Sequence, residues 1–556
     1  MTRTIITNAT AFLSGAAVPG RGVLIADGVI AAIGESSAIA ALPEAAGAEL
    51  IDAAGGLLHP SFADAHVHTV FAGVELGRLE LSDSLSGDET LERIAAYVAD
   101  YDGEWVLGGG WSMAHFPGGA PSREALDAVA PDHPVFLINA DHHGAWANSR
   151  AFELAGIDAS TPDPADGRFE RHEDGTPSGT MHEGAQELFS HVLPPTTDAE
   201  CRAGLLRAQE VLHGFGVTAW QEAILGEYAG YPDVTEAYAA EIGAGIDADV
   251  SGALWVTRDL GDPSSPINAD AIVADFERRR AAAAARGFRA DTAKIMVDGV
   301  AETLTAAMNE PYTGGCDCAG GEANRGLAYF SAEDLMELVP KLNASGFNAH
   351  FHAIGDRAAR YALDAVAAVP AADRAGVRNH IAHLQVVDPA DIPRFAELGV
   401  AANCQALWAA REDQMVELTL PVLGEERSEW QYPFASLLRA GAPLVFGSDW
   451  PVSTPDPWQA MHVAVNRTAP GEDGTEPLIP GEALTLAVAL DGYTRGSHEQ
   501  LGTPGGAGRL AVGATADLAL TDRDPFAGAD REIWRTRNVL TLRGGRIVAD
   551  RRGAEA

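Results

Sequence analysis

The sequence predicts an α/β fold: a parallel barrel of repeated βα units, a small sheet domain built from both chain ends, and a large insertion after the first barrel strand. Three observations carry this. Short apolar runs alternate with helix-like segments from about residue 58 to 505. Both chain ends read as strand, turn, strand. A stretch rich in Trp, Gly and Pro breaks the alternation from about 80 to 205. Repeated βα units call for a parallel sheet, and this many of them close it into a barrel.

In chain order, TIITNATAF and GVLIADGVIAAIG come first, with Asp27-Gly28 as a hairpin turn. The last stretch repeats that form through ADLALTD and NVLTLRGGRIVAD, turning at Gly544-Gly545. Because chain termini are often neighbours in space, residues 1–57 and 506–556 are expected to form one composite sheet domain. Residues 58–505 are expected to form the barrel. Its strands are read at GVTAWQEAI, VSGALWVT, AKIMVDG, FNAHFHAIG, VRNHIAHLQ, VAANCQA and PLVFGSD. Helix-like runs such as DRAARYALDAVAAV and PADIPRFAELG lie between and after them. The insertion at 80–205 is expected to cover the barrel mouth. The arginine-rich FERRRAAAAARGFR reads as a solvated helix, and no internal repeat stands out.

The chain has 556 residues, 46% of them hydrophobic, with 60 glycines, which suits a compact, loop-rich enzyme. Its formal charge of −41 comes from 79 acidic and 38 basic residues and opposes any nucleic-acid or anionic-membrane role. It reads as a solvated acidic surface. Four cysteines do not make a disulfide framework. Cys316 and Cys318, in GGCDCAGG, leave two readings: a C-x-C that binds metal or pairs, or free thiols in a glycine-rich loop. MTRTIITNATAF lacks the apolar core of a signal peptide. No run reaches the roughly 18–20 apolar residues of a membrane span, so a cytoplasmic enzyme is expected.

The chemistry is carried by residues placed at strand ends. His66 and His68 lie in SFADAHVHT, and positions i and i+2 of a strand face one side, so both imidazoles can reach one point. At the C-terminal end of a first barrel strand that point is the mouth. Lys294, one of only two lysines, sits in the apolar DTAKIMVDG. Desolvation lowers a lysine's pKa, and a neutral amine can add carbon dioxide to give a carbamate able to bridge two metal ions. The other reading is a strand-end lysine whose ammonium reaches solvent or Asp298.

His352 in HFHAIGDRA and His383 in HIAHLQ share one form, a histidine closing an apolar strand. His350 and His380 have the spacing of decoys that pack beside a ligand or orient it. Imidazole suits zinc and related divalent ions. Asp449 ends the strand PLVFGSDWP, where a carboxylate serves as metal ligand and proton acceptor, or simply caps the next turn. A His-x-His pair, a lone lysine, two single histidines and a late aspartate, in that order, is the ligand set of a two-metal hydrolase barrel. Trp111, Trp146, Trp408 and Trp450 lie near these segments in sequence, as pocket lining or as core.

On these residues, and on ADAHVHT, EWVLGGGW, DHHGAWANSRAF, DGTPSGTMHEGA, KIMVDGVAETLTA, HAIGDRA, HIAHLQ, FGSDWPV and GATADLAL, the chain resembles the amidohydrolase superfamily. The likeness is to its amidohydrolase-3 family of N-substituted formamide deformylase-like and YtcJ-like hydrolases, and it spans roughly residues 2–550. It implies a distorted TIM (β/α)8 barrel with a small β-sandwich from both chain ends. It implies that His66 and His68 hold one metal, carboxylated Lys294 bridges, His352 and His383 hold a second, and Asp449 is ligand and catalytic base. It also implies substrate contacts at His143 and Glu183, and we add Trp111 and Asp298 to that set. The cofactor implied is one or two divalent ions, zinc by preference. The partner implied is a small-molecule substrate, and the assembly a homodimer.

The chain departs from the family where Arg-Ile-Glu-His becomes His380-Ile381-Ala382-His383, and where Pro-Gly-Phe becomes Pro60-Ser61-Phe62. The expected reaction is hydrolysis of a non-peptide amide-type C–N bond, N-acyl or N-formyl. Carbamate, ester or lactone hydrolysis by the same site is the alternative. Ring deamination fits a bridging lysine poorly, and a non-catalytic scaffold fits an intact ligand set poorly.

Overall fold

The computed structural model describes residues 3–228, 230–257, 267–313, 324–472 and 474–553, so Cys316 and Cys318 lie outside the described residues. The eight barrel strands are β1 (Phe62–Val67), β2 (Val217–Leu225), β3 (Asp249–Trp255), β4 (Arg289–Met296), β5 (Asn348–Ala353), β6 (His380–His383), β7 (Ala401–Cys404) and β8 (Leu444–Phe446). Each coincides with an apolar run of the sequence, and each pairs in parallel with the next. Most of their residues are buried, as parallel strands covered on both faces require.

No ladder joins β8 to β1 among the described residues, so the barrel is nearly closed. Closure comes from bonds to β1 made by residues after β8 and by a side chain of β7. The Asp449 N–H donates to His66 O (2.8 Å), Asn403 Nδ2 to Ala65 O (3.0 Å), and Ser448 N–H to Asp64 Oδ1 (3.0 Å). Gly447 permits this approach, because a Cβ there would lie 2.6 Å from His66 N.

The two chain ends meet in one eight-stranded sheet. Leu518–Thr521 lies antiparallel to Leu57–Pro60, which in turn runs parallel to Arg3–Leu13. Both expected hairpins form. Asp27 and Gly28 have φ of 52° and 85°, and Gly544 and Gly545 have 53° and 72°, the positive pair that a two-residue hairpin needs. The N-terminal and C-terminal strands share an apolar core that includes Ile6, Val23, Ile30, Leu58, Leu518 and Leu540.

The insertion carries its own six-stranded mixed sheet, from Leu79–Glu80 to Pro177–Glu183. It is centred on Trp111, Trp146, Leu126 and Leu137. The chain then returns to β2 through the helix Asp198–Gly214, opened by a reciprocal capping box between Thr197 and Glu200.

Candidate metal centre

The ends of the barrel strands bring the expected ligands together. His66, at the end of β1, places Nε2 3.1 Å from Asp449 Oδ1, and His68 Nε2 lies 3.1 Å from the same oxygen. The ligand atoms of His66, His68 and Asp449 all fall within 4.8 Å of one another. Lys294, 3% exposed on β4, sets Nζ 3.3 Å from His66 Nε2. His352 and His383, from β5 and β6, complete the cluster with ring centroids 4.4 Å apart, and His383 lies 4.9 Å from the His66 ring. His383 Nδ1 stands 4.0 Å from Asp449 Oδ2.

Tautomers follow from the layer beneath. Gln221 Nε2 donates to Thr292 Oγ1 (3.2 Å), which leaves Gln221 Oε1 to accept from His350 Nδ1 (2.9 Å). Burial holds the His350 pKa well below its ordinary value, so its ring is neutral and Nε2 is an acceptor. That acceptor meets His66 Nδ1 at 3.0 Å, which fixes the His66 proton on Nδ1 and turns the Nε2 lone pair towards Asp449. His66 is itself kept neutral, since burial, reinforced by Lys294, lowers its pKa to about 3.

A lone pair 3.1 Å from a carboxylate oxygen is repulsive unless a cation lies between them. Asp449 Oδ1, His68 Nδ1 and His383 Nδ1 are also buried without a hydrogen-bond partner. Orphaned buried donors and acceptors on this scale call for a missing partner. The donor set of imidazole nitrogens and carboxylate oxygen fits a divalent metal.

Lys294 is pushed down to about 7 by burial, although Asp449 opposes the shift. Non-glycine residues of the site adopt positive φ: His142 (65°), Glu183 (52°), His383 (77°) and Asp449 (56°). Such backbone concentrates at functional sites because surrounding structure must hold it there.

The insertion adds the opposite wall. Asp141, His142 and His143 line the same cavity as His66, His68 and Lys294. His143 Nδ1 lies 2.9 Å from Glu183 Oε2, and Thr305 Oγ1 donates to Glu183 Oε1 (2.7 Å). Burial would lower the His143 pKa, but the Glu183 carboxylate more than reverses this, to about 9. His143 is therefore an imidazolium at neutral pH, with its ring 5.5 Å from that of His352.

Two residues expected to touch substrate are placed elsewhere. Trp111 is fully buried in the core of the insertion, donating Nε1–H to Leu137 O (2.9 Å) and packing on Trp146. It lines neither this cavity nor the larger one beside it. Asp298 is also fully buried. Its carboxylate accepts from the backbone N–H groups of Ala307, Ile354 and Gly355 (2.8, 3.0 and 2.8 Å), so it organises the loop beside His352. Trp146 is core as well, whereas Trp408 stacks on His383 at 5.2 Å and Trp450 O accepts from His68 N–H (2.9 Å).

Sequence reasoning passed over Gln221 and treated His350 as a decoy. The register was the available signal. His350 lies two residues before His352 on one strand, so it shares that face one layer deeper in the barrel.

A profile described as the amidohydrolase family matches residues 49–549. An N-substituted formamide deformylase of Arthrobacter pascens is 28% identical, over 96% of this chain and 95% of that protein. The protein LONG AFTER FAR-RED 3 of Arabidopsis thaliana is also 28% identical, over 95% of this chain and 88% of its own length. Among solved structures, an uncharacterized metal-dependent hydrolase from Pyrococcus horikoshii OT3 superposes with a TM-score of 0.70 at 25% identity, covering 95% of this chain and 99% of that one.

Proposed function

The chain belongs to the amidohydrolase family, and from that premise we propose that it cleaves a non-peptide amide-type C–N bond in an N-acyl or N-formyl small molecule. The observation that carries this is the convergence of His66, His68 and Asp449 on one point, with Lys294, His352 and His383 around it.

A divalent ion held there, zinc by preference, supplies Lewis acidity that makes water a nucleophile near neutral pH and polarises a carbonyl oxygen. His66, His68 and Asp449 would hold one ion, and His352 and His383 a second. Lys294 is half neutral near pH 7, so its amine can take up carbon dioxide and release a proton, giving a carbamate between the two groups of histidines. Asp449 accepts the proton of the attacking water and returns it to the leaving nitrogen, a role set by its position at the centre of the cluster. His143, kept cationic by Glu183, donates to the oxygen that gains charge as the carbonyl is attacked. The enzyme is read as a cytoplasmic homodimer acting on small molecules. Among the described residues no helix is long and apolar enough to cross a membrane.

The test is a hydrolysis screen of N-formyl, N-acyl, carbamate, ester and lactone compounds with metal-reconstituted enzyme. Turnover of the amides above the oxygen esters supports the reading. Turnover confined to esters or lactones assigns the site to that chemistry instead.

A further inference from the structure

Beside the metal centre lies a second, larger cavity of about 650 Å³, a volume that takes a drug-sized group. Tyr228 and Met296 line both spaces, so the two adjoin, and a substrate with its scissile bond at the metal centre can extend its remainder here. The walls are aromatic. Tyr228 and Trp255 meet edge to face at 5.2 Å, and Tyr231, Tyr329 and Phe330 also line the space.

The charge of the lining is one-sided. Asp166, Glu183, Glu187 and Glu227 line it, and no lysine, arginine or histidine does among the described residues. Glu183 is matched by His143. Arg78 is close, 5.6 Å from the Tyr231 ring centroid, but it is bound to Thr196 Oγ1 (2.9 Å) and does not line the cavity.

Aromatic faces attract cations through their quadrupole, and carboxylates on the same wall add to that attraction in a partly enclosed space. We propose that this cavity receives the non-reacting end of the substrate and that this end is an organic cation, an ammonium or amidinium on an aromatic or alkyl group. The inference rests on the hydrolase reading for what happens at the other end of the molecule, but the cation site stands on its own lining.

The test titrates the full-length, metal-loaded protein calorimetrically with benzyltrimethylammonium, which has no lone pair to bind metal, and with benzyl alcohol. The cation is expected to bind at least about tenfold tighter and to weaken in high salt. Asp166→Asn combined with Glu227→Gln is expected to remove most of that difference, and Glu227→Gln alone, at the exposed rim, to remove part of it. Equal affinity for the two probes, no binding of the cation, or an unchanged difference in the folded variants overturns the proposal. Turnover of N-formylbenzylamine is compared with that of its 4-(trimethylammoniomethyl) derivative in parallel. If neither is cleaved but the cation preference in binding holds, the amide-hydrolase reading falls and the cation site stands. If both are cleaved without preference and the binding difference is missing, the reverse holds.

Discussion

At the scale of single residues, burial and neighbouring charge set protonation. Asp449 is crowded by three imidazoles and carries an oxygen with no hydrogen bond, which is where a metal ligand and proton carrier belongs. Asp449→Asn is expected to retain at least one metal equivalent and to lose about 10²–10⁴-fold in kcat, measured with metal content on the same sample. His143 titrates at about 9 in the folded chain against an ordinary 6.5. Since that pKa is raised, its contribution to stability is fully present below 6.5 and is lost as pH rises through about 9. Activity that uses the imidazolium should fall as pH rises through about 9. In Glu183→Gln the largest group opposing burial is lost and only Asp141 and Asp449 still raise the pKa, so the descending limb of kcat/KM should move down, by roughly two pH units. A limb that stays near 9 removes His143 from the reaction.

At the scale of elements, the eight barrel strands were legible as short apolar runs, and the proposed ligands lie near or just beyond their C-terminal ends. His66, Lys294, His352 and His383 could be placed on strand ends from pattern alone. Trp111 and Asp298 could not be assigned, because proximity in sequence to a site segment does not say which way a side chain points. Trp111 turns into the insertion's core, and Asp298 spends its carboxylate on three backbone amides. The layer beneath these residues was illegible for a related reason: Gln221 reaches His350, and His350 reaches His66, only across the folded barrel.

That closure makes a prediction at this scale. Gly447→Ala drives a methyl against His66 N, where only 2.6 Å is available. It is expected to cost about 1–3 kcal/mol of stability by overpacking and to lower metal content with it, read by thermal melting and metal analysis. An unchanged melting temperature with full metal would show that β1 and β8 have room to separate.

At the scale of the whole molecule, one sheet from both chain ends supports the barrel and an insertion supplies His143 and Glu183, so the site is complete only when distant parts of the chain are in place. Metal bound by the folded state alone stabilises it in proportion to the logarithm of ligand over Kd. Chelation should therefore lower the melting temperature and abolish turnover together, and zinc should restore both. Within this assembly, Lys294 is the residue whose role is least ordinary.

The most direct measurement is metal content and amide turnover of Lys294→Ala beside the wild type, each with and without a short carboxylic acid such as acetate or propionate. Metal and activity are expected to fall together in the variant, and the acid to restore both in part by standing in for the lost carbamate. A variant that keeps its metal and turns over normally, or a wild type whose turnover survives complete metal removal, would contradict this.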